Sequence, residues 1–313
     1  MKTTTSLLFG AALMSAGVAQ ASDPEACQTV RFTDPGWTDI NSTNALASTV
    51  LQGLGYSTEI STLAVPIGFE GLKSNEIDVF LGNWMPAQQQ FIDKYATPGD
   101  IDVVGTNLNG AKFTLAVPEY VYNAGIHDFA DLIKAEDKFR KRIYGIEAGA
   151  PANQLLQKMI DSGDFGLQKW RLVESGEQGV MSQVKRSVKR DEFIAFLAWE
   201  PHPMNTNFDL KYLTGGDKYF GANFGGATIQ TLTRKGYREA CPNVGRLLDN
   251  LKFTLTMENQ MMGHILDDAQ QPADAAKQWL QKNPQVLNSW LEGVTDLQGN
   301  SGLEAVQQHL AIK

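Results

Sequence analysis

Three tryptophans lie in turn-rich settings at the ends of strand-like segments, not on amphipathic helices: Gly36-Trp37-Thr38-Asp39, Gly82-Asn83-Trp84-Met85-Pro86 and Ala198-Trp199-Glu200-Pro201-His202-Pro203. Open α/β sheets place their ligands at strand ends, where a large flat ring has little core to fill. Rings that converge beside a carboxylate such as Asp39 suit a cation with no hydrogen to donate. A quaternary ammonium spreads its charge over methyl groups, so it leaves water at lower cost than a primary ammonium, whose donors would go unpaired in such a box. Each ring face is worth on the order of 0.5–2 kcal/mol once water is excluded. Ordinary packing is the alternative for any one of these rings, and it is their common context that argues for a box.

Other chemistry is thinly represented. The chain has no GxSxG elbow, P-loop or HExxH, and Gly53-Leu54-Gly55 lacks the third glycine of a dinucleotide fingerprint. Of the histidines, His127, His264 and His309 have no partner in sequence, and only His202 neighbours a candidate site residue. Neither a CxxC nor a Cys/His pair at zinc spacing is present. No catalytic residue, metal or cofactor is therefore assigned. An aromatic-lined sugar binder or an exported enzyme stays open as the second reading. Sugars need many polar partners around the rings, and these segments offer few beyond Asp39, Asn83 and His202. Asn41-Ser42-Thr43 matches a glycosylation acceptor and is read as chance or as a helix N-cap.

Met1-Lys2, an apolar run from Leu7 to Val18 and the small-x-small triplet Ala19-Gln20-Ala21 have the form of a cleavable leader over residues 1–21, with a mature start at Ser22. No cysteine follows the apolar run closely enough for a lipoprotein signal. The expected location is the periplasm. Export makes a Cys27–Cys241 disulfide the favoured state over two buried thiols. Without the leader the chain carries 26 basic against 35 acidic residues, a net of −9. That balance argues against nucleic acid and against docking on anionic lipid. No later stretch approaches the roughly 20 apolar residues of a membrane span, so membrane contact is expected through a partner.

About 290 residues exceed what one core usually serves, so two lobes are expected. Strand patterns at 29–33, 78–81, 112–117, 142–146 and 192–198 alternate with helical ones, the signature of an α/β fold around mostly parallel sheets. A helix is expected over 44–54, and another from Ser175, where Gln178 would complete a capping box. From about Lys235 the pattern turns helical, over 237–249, 257–268, 273–282 and 285–291. Trp279 and Trp290 stand at helical intervals with leucines and, like Trp170, are assigned to the core.

The three tryptophan motifs in order, with Asp34-Pro35-Gly36 before the first, Asp78-Val79-Phe80-Leu81 before the second and the tail Trp290-Leu291-Glu292-Gly293-Val294, resemble the substrate-binding proteins of ABC importers for glycine betaine, choline and carnitine. The choline-binding branch is the nearest. The resemblance covers essentially the whole mature chain. It implies a two-lobed Venus-flytrap fold with two crossovers, a small quaternary amine closed between the lobes, delivery to a membrane permease, and a monomer. Residues 22–110 and 212–313 would form one lobe and 111–211 the other. Trp37, Trp84 and Trp199 would be three walls of the box and Asp39 its counter-charge.

Two positions depart from the choline branch. Phe113 stands where that branch usually has Tyr, which keeps the π face and loses a hydroxyl. Ala150 stands where it tends to have an Asn for the ligand hydroxyl. Space without that partner points to a longer ligand, and carnitine is the candidate drawn from it. Its carboxylate would take donors from His202, Asn153 and the helix start near Ala150. Choline and glycine betaine are its rivals, since no Arg or Lys obviously faces the site.

Overall fold

The computed structural model describes residues 23–312. The expected leader, residues 1–21, and Ser22 lie outside the described residues. Nine strands form one hydrogen-bonded path: β1 (Thr29–Asp34), β2 (Ser57–Thr62), β3 (Val79–Met85), β4 (Ile101–Pro118), β5 (Arg142–Tyr144), β6 (Arg171–Val173), β7 (Phe196–Glu200), β8 (Leu210–Tyr212) and β9 (Gly226–Arg234). Their order is β2-β1-β3-β9-β4-β7-β5-β6, with β8 beside β4. The sheet is mixed, in contrast to the mostly parallel one expected. β1 pairs with β2 and β3, and β5 with β6 and β7, in parallel, whereas β9 and β4 make the antiparallel pairs at the centre.

β4 joins the two lobes. Its first part runs beside β9, from Ile101 opposite Arg234 to Lys112 opposite Gly226. Its second part runs beside β7, from Lys112 opposite Glu200 to Ala116 opposite Phe196. The division expected at 211/212 falls at β8, which still pairs with the outer half of β4 through Ala116–Pro118. Phe220, farther along, packs on Phe113 and Phe129 with ring centroids 5.6 and 5.9 Å away. The chain rejoins β3 at β9, after a turn in which Gly221, Asn223, Phe224 and Gly225 all have positive φ.

Helices cover both lobes. The helix expected over 44–54 spans Thr38–Gly53, six residues earlier, because its first turns are polar yet buried: Thr38, Asp39, Ser42, Thr43 and Asn44 face inward. Hydrophobic periodicity cannot register such a turn. Here Ser42 donates to the Thr38 carbonyl at 2.7 Å, so the buried hydroxyl is satisfied within the helix. The Asn41-Ser42-Thr43 triplet is inside this helix and caps nothing. The later helix begins at Glu177 with Gly176 as N-cap and no side-chain cap, so the Ser175–Gln178 capping box does not form. Beyond Lys235 the described chain is helical, with Pro242–Asn250, Leu255–Leu266 and Pro272–Lys282 among its elements. Trp170, Trp279 and Trp290 are buried in the cores. Among the described residues, no helix is long and apolar enough to cross a membrane.

Two devices fix the first lobe around the strand that leads to the site. Cys27 and Cys241 form a disulfide across 214 positions of sequence. Buried Asp78, at the start of β3, accepts from Arg31 N–H at 2.9 Å and from the Arg31 and Arg234 guanidinium groups at 2.8 and 2.7 Å, tying β1, β3 and β9 together. Burial alone would raise the Asp78 carboxyl, but the hydrogen bonds from the two arginines outweigh it and hold the group below the usual carboxylate range.

Candidate ligand-binding site

A cavity opens where the C-terminal ends of β3 and β7 meet the start of the Thr38–Gly53 helix, and it is walled by Trp37, Trp84, Phe113 and Trp199 with Asp39 beside them. Gly36, at φ +90°, makes the turn that carries the chain out of β1; a side chain there would be strained. Asp34 holds this turn, accepting from Gly36 N–H and from the Asn41 amide, both at 2.6 Å. Trp37 follows as the helix N-cap residue and Asp39 lies in the first helical turn, so the ring and the carboxylate enter together. Trp84 extends from β3. Phe113 and Trp199 are directly opposite one another on β4 and β7, which puts their side chains on one face of the sheet. Trp84 and Phe113 meet edge to face with centroids 6.2 Å apart.

The indole N–H groups of Trp37 and Trp84 are engaged by carboxyl groups. Trp84 Nε1–H donates to Asp39 Oδ2 at 3.0 Å and Trp37 Nε1–H to Glu147 Oε1 at 2.9 Å. The rings therefore present apolar π faces to whatever enters. Asp39 is 1% exposed, and its second oxygen, Oδ1, has no hydrogen-bond partner. Burial pushes its carboxyl up to about 8, the nearby charge of Glu177 adds to this, and the Trp84 N–H only partly opposes it. Glu258, behind Asp39 on the Leu255–Leu266 helix, is also buried and its carboxyl is raised by burial and then by Asp39. The same holds for Glu147, through burial. None of the lining residues is basic. The site is therefore an aromatic cup with one carboxyl, Asp39, and no basic residue on its lining.

The space is small. It amounts to about 50 Å³, where one water needs about 10–15 Å³ by the same measure. A head group of a few heavy atoms is in keeping with this size.

Three other sequence-predicted residues are not on the lining. Ala150 is buried as the N-cap of the Pro151–Asp161 helix, whose Pro151 and Ala152 reach the cavity in its place. Asn153 clamps the preceding turn: its carbonyl accepts from Ile146 N–H at 2.9 Å, and its amide donates to the carbonyls of Ile146 and Glu147 and to Glu174 at 2.9–3.0 Å. His202 Nδ1 accepts from Met204 N–H at 2.8 Å, so its proton is on Nε2, which donates to Glu177 Oε1 at 2.8 Å. The side-chain donors of Asn153 and His202 are thus occupied, which leaves the backbone N–H groups at the start of the Pro151–Asp161 helix, a helix without a side-chain cap, as the rest of the donor set expected for a carnitine carboxylate.

Sequence reasoning missed Ala87, Gln88, Ile146, Pro151, Ala152 and Leu197 on the lining. Leu197 could have been found, because it is two residues before Trp199 on one strand and so shares its face. Gln88 carried no pattern. It is brought in by the turn after β3, where its N–H meets the Trp84 carbonyl at 2.9 Å.

Comparison with known proteins agrees with this geometry. The model of the substrate-binding domain of ABC-type glycine betaine transport systems matches residues 28–282. A solved ABC-transporter choline binding protein in complex with choline is 49% identical, covering 92% of this chain and all of its own, with a TM-score of 0.90. Lactococcal OpuAC, solved in its closed-liganded conformation with glycine betaine, is 25% identical over 84% of this chain and 98% of its own, at a TM-score of 0.76. The glycine betaine/carnitine transport binding protein GbuC of Listeria monocytogenes is 31% identical over 158 residues, half of this chain and 51% of that protein. With its two-lobed α/β fold and aromatic cleft, the chain belongs to the family of substrate-binding domains of ABC-type glycine betaine transport systems, binding proteins for small quaternary ammonium compounds.

Proposed function

We propose that the chain captures choline as a monocation in the periplasm, works as a monomer and without turnover, and hands its ligand to an ABC permease. Trp37, Trp84, Phe113 and Trp199 form the box and Asp39 supplies the counter-charge. The observation that carries this reading is the buried, unpartnered Asp39 Oδ1 in a lining without a basic residue. A net cation satisfies that oxygen. A zwitterion brings its own carboxylate towards Asp39, Glu147 and Glu177, while the side-chain donors of Asn153 and His202 are already engaged. Gln88 adds a second argument, since its Oε1 is buried without a partner while its amide donates to the Gly82 carbonyl at 2.9 Å. A ligand hydroxyl satisfies this acceptor and a betaine carboxylate does not. The 49% identical relative named for choline supports the same choice. The two lobes divide near Lys112 on β4 and near Gly225 before β9.

Calorimetric titration of choline, carnitine, glycine betaine and glucose tests the reading. Choline is expected to bind at least tenfold tighter than either zwitterion, and glucose not to bind. A preference for carnitine or betaine would overturn the choice of ligand. Mass spectrometry of the incubated mixture is expected to return choline unchanged.

A further inference from the structure

The N-cap residue of the Thr38–Gly53 helix, Trp37, makes no side-chain cap bond. The cap comes from across the cleft. Glu177, the first residue of the Glu177–Val188 helix in the other lobe, accepts from Thr38 N–H through Oε2 at 2.9 Å and from His202 through Oε1 at 2.8 Å. Glu177, Thr38 and His202 are all buried. A carboxylate at the positive end of a 16-residue helix is well placed; its bond to Thr38 crosses the cleft, and its bond to His202, within its own lobe, fixes its orientation. Yet Asp39 is the very next residue after Thr38. The contact that fastens the cleft therefore drives a second negative charge towards the one already there, in a space from which water is excluded, with Glu258 behind it. The effect of Glu177 on the Asp39 carboxyl registers this repulsion.

We propose that Glu177 is a positioning residue that makes closure conditional on a bound cation: held in place by His202, it latches the lobes through Thr38, and its charge opposes that latch until the ligand charge offsets it. This rests on the functional reading above. The latch and the penalty reside in one carboxylate. An uncharged occupant of the same shape gains the latch and leaves the repulsion in place.

The test compares wild type, Glu177→Ala and Glu177→Gln with two probes, choline and 3,3-dimethylbutan-1-ol, its isostere with carbon for nitrogen. In Glu177→Ala the dissociation of radiolabelled choline is expected to rise at least tenfold, while the melting temperature of the unliganded protein stays unchanged, because the open form lacks the contact. In Glu177→Gln, which keeps the size and one accepting oxygen for Thr38 N–H but removes the charge, the ratio of choline to isostere affinity is expected to fall at least threefold. A residue that only supports the fold would weaken both probes alike and leave the ratio fixed. Wild-type dissociation in Glu177→Ala, or an unchanged ratio in Glu177→Gln, would overturn the gate while leaving the choline reading intact. A wild-type protein that ignores choline would overturn the functional reading itself, and the gate with it.

Discussion

At the residue scale, the direction of each polar atom decides what the aromatic cup can hold. Trp37 and Trp84 point their N–H groups at carboxylates, so their faces are left for methyl groups. Trp84→Ala removes a face and the indole N–H that donates to Asp39, and is expected to weaken choline binding by about 2 kcal/mol or more in calorimetric titration. Full affinity in that variant would remove Trp84 from the box. Asp39→Asn is expected to weaken choline more than glycine betaine; equal losses would make Asp39 structural. Gln88→Met separates the hydroxyl from the cation: choline should lose affinity and tetramethylammonium should keep it. The tryptophans and Asp39 were legible in the sequence because a ring at a strand end has few other uses. Gln88, Glu147 and Glu177 were not, since a Gln or Glu in a polar stretch looks the same whether it faces solvent or a cleft. His202 and Asn153 have their side-chain donors engaged by Glu177 and by Ile146, Glu147 and Glu174, and proximity in sequence to a wall residue does not say which partner a donor already has.

At the scale of elements, the pattern reading found the strands that carry the site and missed those with weak alternation. The edge strand β2, Ser57–Thr62, is exposed along its length and gives no buried face to detect. β9 was hidden by its threonines. The early start of the Thr38–Gly53 helix was lost for the opposite reason, as its first turns bury polar side chains. The Cys27–Cys241 disulfide, expected from compartment alone, is present and joins segments 214 positions apart in sequence. Replacing both cysteines by serine is expected to cost about 2–5 kcal/mol in denaturant unfolding, with choline affinity unchanged, because the bridge lies outside the cleft. A loss of affinity would show that the staple also shapes the site. Asp78→Ala leaves Arg31 and Arg234 facing each other without their shared carboxylate, and a loss of about 3–5 kcal/mol is expected in the same measurement.

At the scale of the whole molecule, the empty cleft should respond to pH. With the lobes apart, Asp39 meets water and titrates in the ordinary carboxylate range; with them together its carboxyl is pushed up to about 8. The closed empty form therefore binds a proton that the open form does not. Its advantage is complete below the ordinary range and vanishes as pH rises through about 8, changing about tenfold per unit between. Glu147 and Glu258 have carboxyls raised in the same direction, and no group on the lining opposes them. Small-angle scattering of the unliganded protein is expected to report a more compact form at pH 5 than at pH 8, and the choline complex to be compact at both. Identical unliganded curves would contradict this.

β4 has 18 residues, serves both lobes, and also carries Phe113. For the evolution of new specificities this makes Phe113 a pleiotropic position, where a change of ligand contact is also a change in the axis on which the lobes turn. Pro151, Ala152 and Gln88 reach the same cavity from turns and helix starts that bear no such second duty. A library selected for a bulkier quaternary amine should therefore accumulate its productive changes at those three positions and leave the aromatic wall on β4 alone.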